Sequence, residues 1–327
     1  MLDELTFFQR FRVTKLTAMY ILELIENEIE YHYDFNYSLA PINQIMIFLR
    51  LCATGTHLTC IGDFAGVHYS TVSRIAVRVG SAIARHYNQF VNLPQTAEEI
   101  NAAQLSFYER ARFPRIVGAI DGTHIRIQSP GGEDAEVFRN RKGFFSVNTQ
   151  IVAGADEKIL NLVARWPGSS HDMTIFNNSC LRRQFDEGRY PNCLLLGDNG
   201  YAVKPYLLTP LLNPDSHAER LYNEAHIKTR NVVERTIGIW KRRFPILAYG
   251  CRLKLSTTLT IIVATAVVYN ICKQNGEPDP PDPDDIQLFV QVIEDDVVPN
   301  VPASEDGISG VETRRNFIAQ YFAHLES

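Results

Sequence analysis

The sequence predicts an α/β protein: a mixed sheet flanked by helices, preceded by an all-helical N-terminal region. Three observations predict it. Apolar residues recur at helical spacing through about the first 110 residues. From Arg115 onward, short apolar and β-branched runs replace that spacing, and two of them end on an aspartate. Helical spacing then returns from about Ala218. Strands followed by helices make a sheet covered by helices.

The elements follow in order. Leu16 to Glu26 carries a helical apolar pattern, and Pro41 to Cys52 is a second helix with proline in its first turn. A short helix from Thr59 to Gly66 comes next, then Val67-His-Tyr, then a helix from Ser70 to Val79. Gly66 suits a left-handed turn and Ser70 suits a helix cap. On the last helix Val72, Ile75, Val79 and Ile83 share one face, and Arg74, Arg78 and Arg85 lie on another. The region of about 59–86 therefore has the outline of a helix-turn-helix, with Ser70, Arg74 and Arg78 as candidate DNA contacts. The alternative is an amphipathic helix with a solvated charged face.

Arg115 to Asp121 is the first strand. Phe144 to Ala153 and Lys158 to Arg165 form a hairpin about the turn Gly154-Ala-Asp-Glu. Met173 to Leu181 suggests a helix, Cys193 to Asp198 a further strand, and Ala218 to Arg243 a helix stopped by Pro245. Leu259 to Cys272 is a buried helix, and its longest apolar run is too short to span a bilayer. Glu277 to Asp285 is a Pro/Asp-rich linker. Ile286 to Ile293 reads as strand or helix, and Phe317 to Leu325 as an amphipathic helix. The resulting division is 1–112, helical; 113–275, sheet-containing; and 276–327, acidic linker and terminal helix.

With 45% apolar and 21% charged residues, the chain can bury a sizeable core. The N-terminus lacks the basic start of a secretory signal. The six cysteines include no CxxC pair, which argues against a structural zinc site. Residues 276–327 hold twelve acids and two arginines, net -10, so the rest is net +5 in a chain of net -5. A mildly basic body is permissive for nucleic acid. One reading has the tail dock its helix on its own body or on a second subunit and compete with phosphates for the basic surface; the alternative is a solubilising linker followed by an ordinary terminal packing helix.

Four acids stand in distinctive contexts: Asp121 in VGAIDGTH, Asp172 in WPGSSHD, Asp198 in LLLGDNGY and Glu234 in RNVVERTIGIWKRRFP. Singly, each has an ordinary reading as a turn residue, a helix cap or a surface ion-pair partner. Together, strand ends and a facing helix can deliver carboxylates to one point. Converging carboxylates suit Mg²⁺ or Mn²⁺, and a paired site of this kind cuts phosphodiesters.

In order, these contexts resemble the PIF/Harbinger transposases and the nucleases derived from them, over roughly residues 113–272. The resemblance implies an RNase H-like catalytic fold and a DNA endonuclease of the DDE kind. It implies Asp121, Asp198 and Glu234 as catalytic and metal-binding residues, with Asp172 a fourth metal candidate. His124 and His171 beside two of the acids are candidate phosphate contacts or structural residues. Lys228, Arg230, Arg235, Lys241, Arg242 and Arg243 are candidates for a phosphate-binding face, the alternative being a solvated helix surface. The implied partners are DNA and a separate Myb/SANT-like DNA-binding protein, with a homodimer compatible and no membrane. The implied location is the nucleus, with a cytoplasmic pool. A DNA- or protein-binding factor that keeps the fold without useful cleavage is the alternative function.

Overall fold

The computed structural model describes residues 2–31, 38–281 and 305–325. Seven helices precede the sheet: α1 (Glu4–Phe11), α2 (Lys15–Ile29), α3 (Pro41–Thr54), α4 (Leu58–Ala65), α5 (Tyr69–Arg85), α6 (Tyr87–Phe90) and α7 (Ala97–Ala111). The helices read from apolar spacing are α2 to α5. Helix α7 carries a local signal that the spacing missed: Thr96 and Glu99 cap each other's backbone amides.

The sheet comprises β1 (Ile116–Arg126), β2 (Ser146–Ala153), β3 (Ile159–Pro167), β4 (Leu194–Leu196) and β5 (Leu207–Leu208). Its order is β3-β2-β1-β4-β5. Strands β1 to β3 run antiparallel, and β4 and β5 run parallel to β1. This is the expected mixed, RNase H-like arrangement. Every residue of β2 is buried, because it lies between two strands and under helices on both faces. Helices α8 (Asp172–Asn177) and α9 (Cys180–Asp186) follow β3, and α10 (His217–Arg243), α11 (Ile246–Tyr249), α12 (Leu255–Gln274) and α13 (Glu305–Tyr321) complete the described chain.

Two side chains from neighbouring helices cover the β3 edge. Asn270 on α12 bonds both the Ile159 amide and carbonyl, and the Tyr87 hydroxyl accepts from the Leu162 amide. Such cover blunts an edge that would otherwise recruit another strand. Helix α12 is longer than its apolar run suggested: at 20 residues it has the length and hydropathy to cross a membrane. It is instead a core helix, with Ile261, Ile262, Val267, Tyr269 and Ile271 all buried. It packs against α5, where Gly80 lets Phe48 and Thr260 approach.

One cluster of buried apolar residues runs from Phe11 and Ile21 through Ile116 and Trp240 to Phe317. The terminal helix packs on the body of the chain: Phe317 stacks on Phe113 at 5.2 Å, and Phe322 packs on Tyr222. The segment Ile286 to Ile293, read as strand or helix, lies outside the described residues.

Candidate active site

Strand register brings two of the acids together. Strands β1 and β4 are parallel, with Ala119 opposite Leu196. Two residues further along each chain come Asp121 and Asp198. Side chains two apart on a strand share a face, so the Asp121 carboxylate emerges on the face of Ala119. Asp198 begins the turn beyond β4, where its Oδ1 accepts from the Gly200 amide at 2.9 Å. The turn-capping reading thus holds for this residue, which stands beside Asp121.

Helix α10 lies over that face and supplies Arg230 and Glu234. Arg230 Nη1 donates to Asp121 Oδ2 at 3.1 Å, and Nη2 donates to Glu234 Oε1. The Asp121 and Arg230 side chains are 16% and 17% exposed, and Glu234 is 47% exposed. Glu234 thus joins the site through Arg230. Among the described residues, no three His, Cys, Asp or Glu side chains are arranged to grip an ion as they stand.

Asp172 packs against the strand residue that follows Asp121. A Cβ on Gly122 would lie 2.3 Å from Asp172 Oδ1, so Asp172 occupies the space that only glycine leaves open after Asp121. Successive strand residues face opposite ways, so Asp172 packs on the face of β1 away from α10. There Asn148 Nδ2 donates to its Oδ1 at 2.9 Å, and Gln150 Nε2 donates to its backbone carbonyl. Asp172 stays within electrostatic range of Asp121 across the strand.

Burial pushes the Asp121 carboxyl well above the usual carboxylate range; Arg230 pulls it back, and Asp198 and Asp172 push it up again. Burial and the same three aspartates raise the Tyr201 phenol well above its ordinary value, so it stays neutral while accepting from Gln150 Nε2 at 3.0 Å. Burial opposes the Arg230 charge, but Asp121, Glu234 and Asp198 together hold its pKa above the ordinary value. The donors therefore suit a hard divalent cation. They are carboxylate oxygens, they crowd like charge into a poorly hydrated cleft, and a cation there would relieve both costs.

His124 lies on the Gly122 face, with Nδ1 3.0 Å from Ser146 Oγ, and His171 is exposed at the N-cap of α8. Sequence reading missed Tyr201 and Gln150. Tyr201 follows Asp198 in the same GDNGY turn, a signal that could have found it.

The expected phosphate face at Lys241, Arg242 and Arg243 is corrected by burial. Lys241 is 1% exposed, with Nζ on the His124 carbonyl, and Arg243 is 0% exposed. Arg243 Nη1 bonds the Arg12 carbonyl at 2.7 Å and Glu277 Oε2 at 3.0 Å, and Nη2 bonds the Pro278 carbonyl. Arg242 is half-buried. Arg235 pairs with Glu157 at 2.7 Å, while Lys228 remains exposed.

In the region read as a helix-turn-helix, α4 and α5 follow one another across a tight turn. Gly66 has φ +67°, and a Cβ on Gly62 would meet the Val67 carbonyl at 2.5 Å, so two glycines permit the tight turn. Val72, Ile75, Val79 and Ile83 are buried as expected. The cap is His68, whose Nδ1 accepts from the Ser70 amide; Ser70 is not the cap. Arg74 is exposed and bonds Ser70 Oγ at 3.3 Å. Arg78 turns away, with Nη1 on the Ile29 carbonyl and its guanidinium 3.9 Å from the Tyr31 ring centroid. Ser70 and Arg74 bond each other at the helix start, and Arg78 packs against the end of α2 and Tyr31.

A family model described as DDE superfamily endonuclease matches residues 120–270. The chain is 30% identical over 260 residues to Putative nuclease HARBI1 of Rattus norvegicus, covering 79% of this chain and 74% of that one. The Homo sapiens protein of the same name gives the same identity and coverage. Protein ALP1-like of Arabidopsis thaliana is 26% identical over 265 residues, covering 75% and 64%. No solved structure matches.

Proposed function

Because this chain belongs to the DDE superfamily endonucleases of Harbinger transposase descent, we propose that it hydrolyses DNA phosphodiester bonds with the help of Mg²⁺ or Mn²⁺. The observation that carries the reading is the pairing of Asp121 with Asp198 at adjacent parallel strands, under a helix that brings Glu234 to the same cleft through Arg230. Asp121, Asp198 and Glu234 would hold the cation. Asp172 supports the cleft from the other face of β1. Bound there, two cations would neutralise the phosphate, lower the pKa of an attacking water and stabilise the leaving 3′ oxygen. The chain's own residues position the charge: Asp121 is fixed by the strand, Asp198 by its turn, and Glu234 by the long helix. Tyr201 stays protonated behind the acids and keeps a neutral wall there.

DNA approaches through Ser70 and Arg74 at the start of α5, with Lys228 nearer the cleft. The division at 1–112, 113–275 and 276–327 is one of roles, since one core joins them. The protein works in the nucleus, with a cytoplasmic pool, beside a separate Myb/SANT-like DNA-binding protein, and can pair with a second copy. The test is cleavage of supercoiled plasmid by the purified protein in Mg²⁺ or Mn²⁺, alone and with that partner. Nicking that disappears in Asp198→Asn, with the fold intact, supports the reading. Equal nicking by the variant, or none by the wild type in any combination, contradicts it and favours a binding factor.

A further inference from the structure

We propose that Arg230 is an internal cation that keeps the divalent-metal position closed until an ion displaces it. This rests on the reading that Asp121, Asp198 and Glu234 bind a divalent cation. The guanidinium serves two acids on different elements: Nη1 lies 3.1 Å from Asp121 Oδ2 on β1, and Nη2 bonds Glu234 Oε1 one turn along α10. Asp198 lies in its field as well. A planar fork spans two carboxylates where a lysine point charge serves only one well. The two carboxylates that one ion needs are therefore already bridged by a fixed positive charge.

That charge is not relieved by titration, because arginine stays protonated throughout the range in which proteins fold. The side chain is 17% exposed, and in such a cleft like charges repel more strongly than in water. An ion drawn to Asp121 thus meets the guanidinium first. For Asp121 and Glu234 to turn onto one ion, Arg230 must release at least one of them. Ile227 and Asn231, three residues before and one after, are both exposed, so solvent borders this part of α10. In this arrangement Arg230 stabilises the metal-free protein and lowers its affinity for metal.

Titration of the full-length chain with MnCl₂ alone, followed by calorimetry, tests this. Arg230→Gln is compared with Arg235→Gln, which removes the same charge five residues along α10, where the guanidinium meets Glu157 at 2.7 Å. Arg230→Gln should bind Mn²⁺ about tenfold or more tightly than Arg235→Gln, roughly 1.4 kcal/mol, and should melt lower without metal. Arg230→Lys keeps the charge but loses the fork; it should fall between, and it carries the test if Arg230→Gln does not fold. Binding by the Arg230 variants no tighter than by Arg235→Gln or the wild type would overturn the proposal while leaving the metal reading intact. Absence of Mn²⁺ uptake from wild type and every variant would overturn that reading, and this inference with it. Asp198→Asn marks the difference, as it should lose uptake altogether.

Discussion

Arg243→Ala should unfold the protein far more readily without touching its DNA contacts. The Arg243 side chain is 0% exposed and its partner Glu277 2%. The guanidinium ties three segments: the Arg12 carbonyl after α1, Glu277 Oε2, and the Pro278 carbonyl after α12. Glu277 in turn accepts from the Thr14 amide at 2.9 Å, at the start of α2. Truncation therefore leaves a buried carboxylate without its counter-charge, held by Thr14, and removes the arginine donor from two carbonyls. Breaking a buried pair from one side costs about 3–5 kcal/mol. Replacing both partners, as in Arg243→Met with Glu277→Gln, should cost less than that single change, because no charge is stranded. Urea denaturation followed by far-UV circular dichroism gives the stabilities, and DNA affinity across a salt series gives the contacts. A single variant as stable as wild type, or a salt slope reduced by about one unit as loss of a phosphate contact requires, would refute the burial account.

Four further outcomes follow. His226 is buried, and burial holds its pKa down at about 3 while Nε2 bonds the Leu208 carbonyl. The unfolded imidazole binds its proton near pH 6.5, so folding stability falls as pH drops below that value and goes on falling towards about 3; relative to His226→Gln, wild type should lose about 2 kcal/mol between pH 6.5 and 5, and parallel denaturation curves at the two pH values would contradict this. Gly122→Ala should cost about 1–3 kcal/mol and displace Asp172, given the 2.3 Å approach; unchanged melting would contradict the crowding. Asp172→Asn should retain Mn²⁺ uptake that Asp198→Asn loses, and equal loss in calorimetry would return Asp172 to the ion. Phe317→Ala should cost about 3–5 kcal/mol in urea melts, because the ring is 3% exposed between Phe113 and its neighbours; a neutral effect would mean the terminal helix does not hold.

Much of the fold was legible because local chemistry and global packing agree. The apolar runs ending at Asp121 and Asp198 could be read as strands, and their shared face followed once the two proved parallel. The α5 face was legible from spacing alone. What escaped depended on distant partners. Lys241 and Arg243 look like surface cations until the His124 carbonyl and Glu277 arrive from elsewhere in the chain. The face taken by Asp172 depends on which side of the sheet α8 packs, which no spacing encodes. Strand β5 has two residues, too few for any pattern.

The most direct test of the central claim is anomalous scattering from crystals of the protein with DNA and Mn²⁺. The account predicts a peak in the cleft bounded by Asp121, Asp198 and Glu234, with Arg230 withdrawn from Asp121 and a phosphate beside the ion. A peak on the Asp172 face of β1, or DNA bound with no ion at these acids, would contradict it.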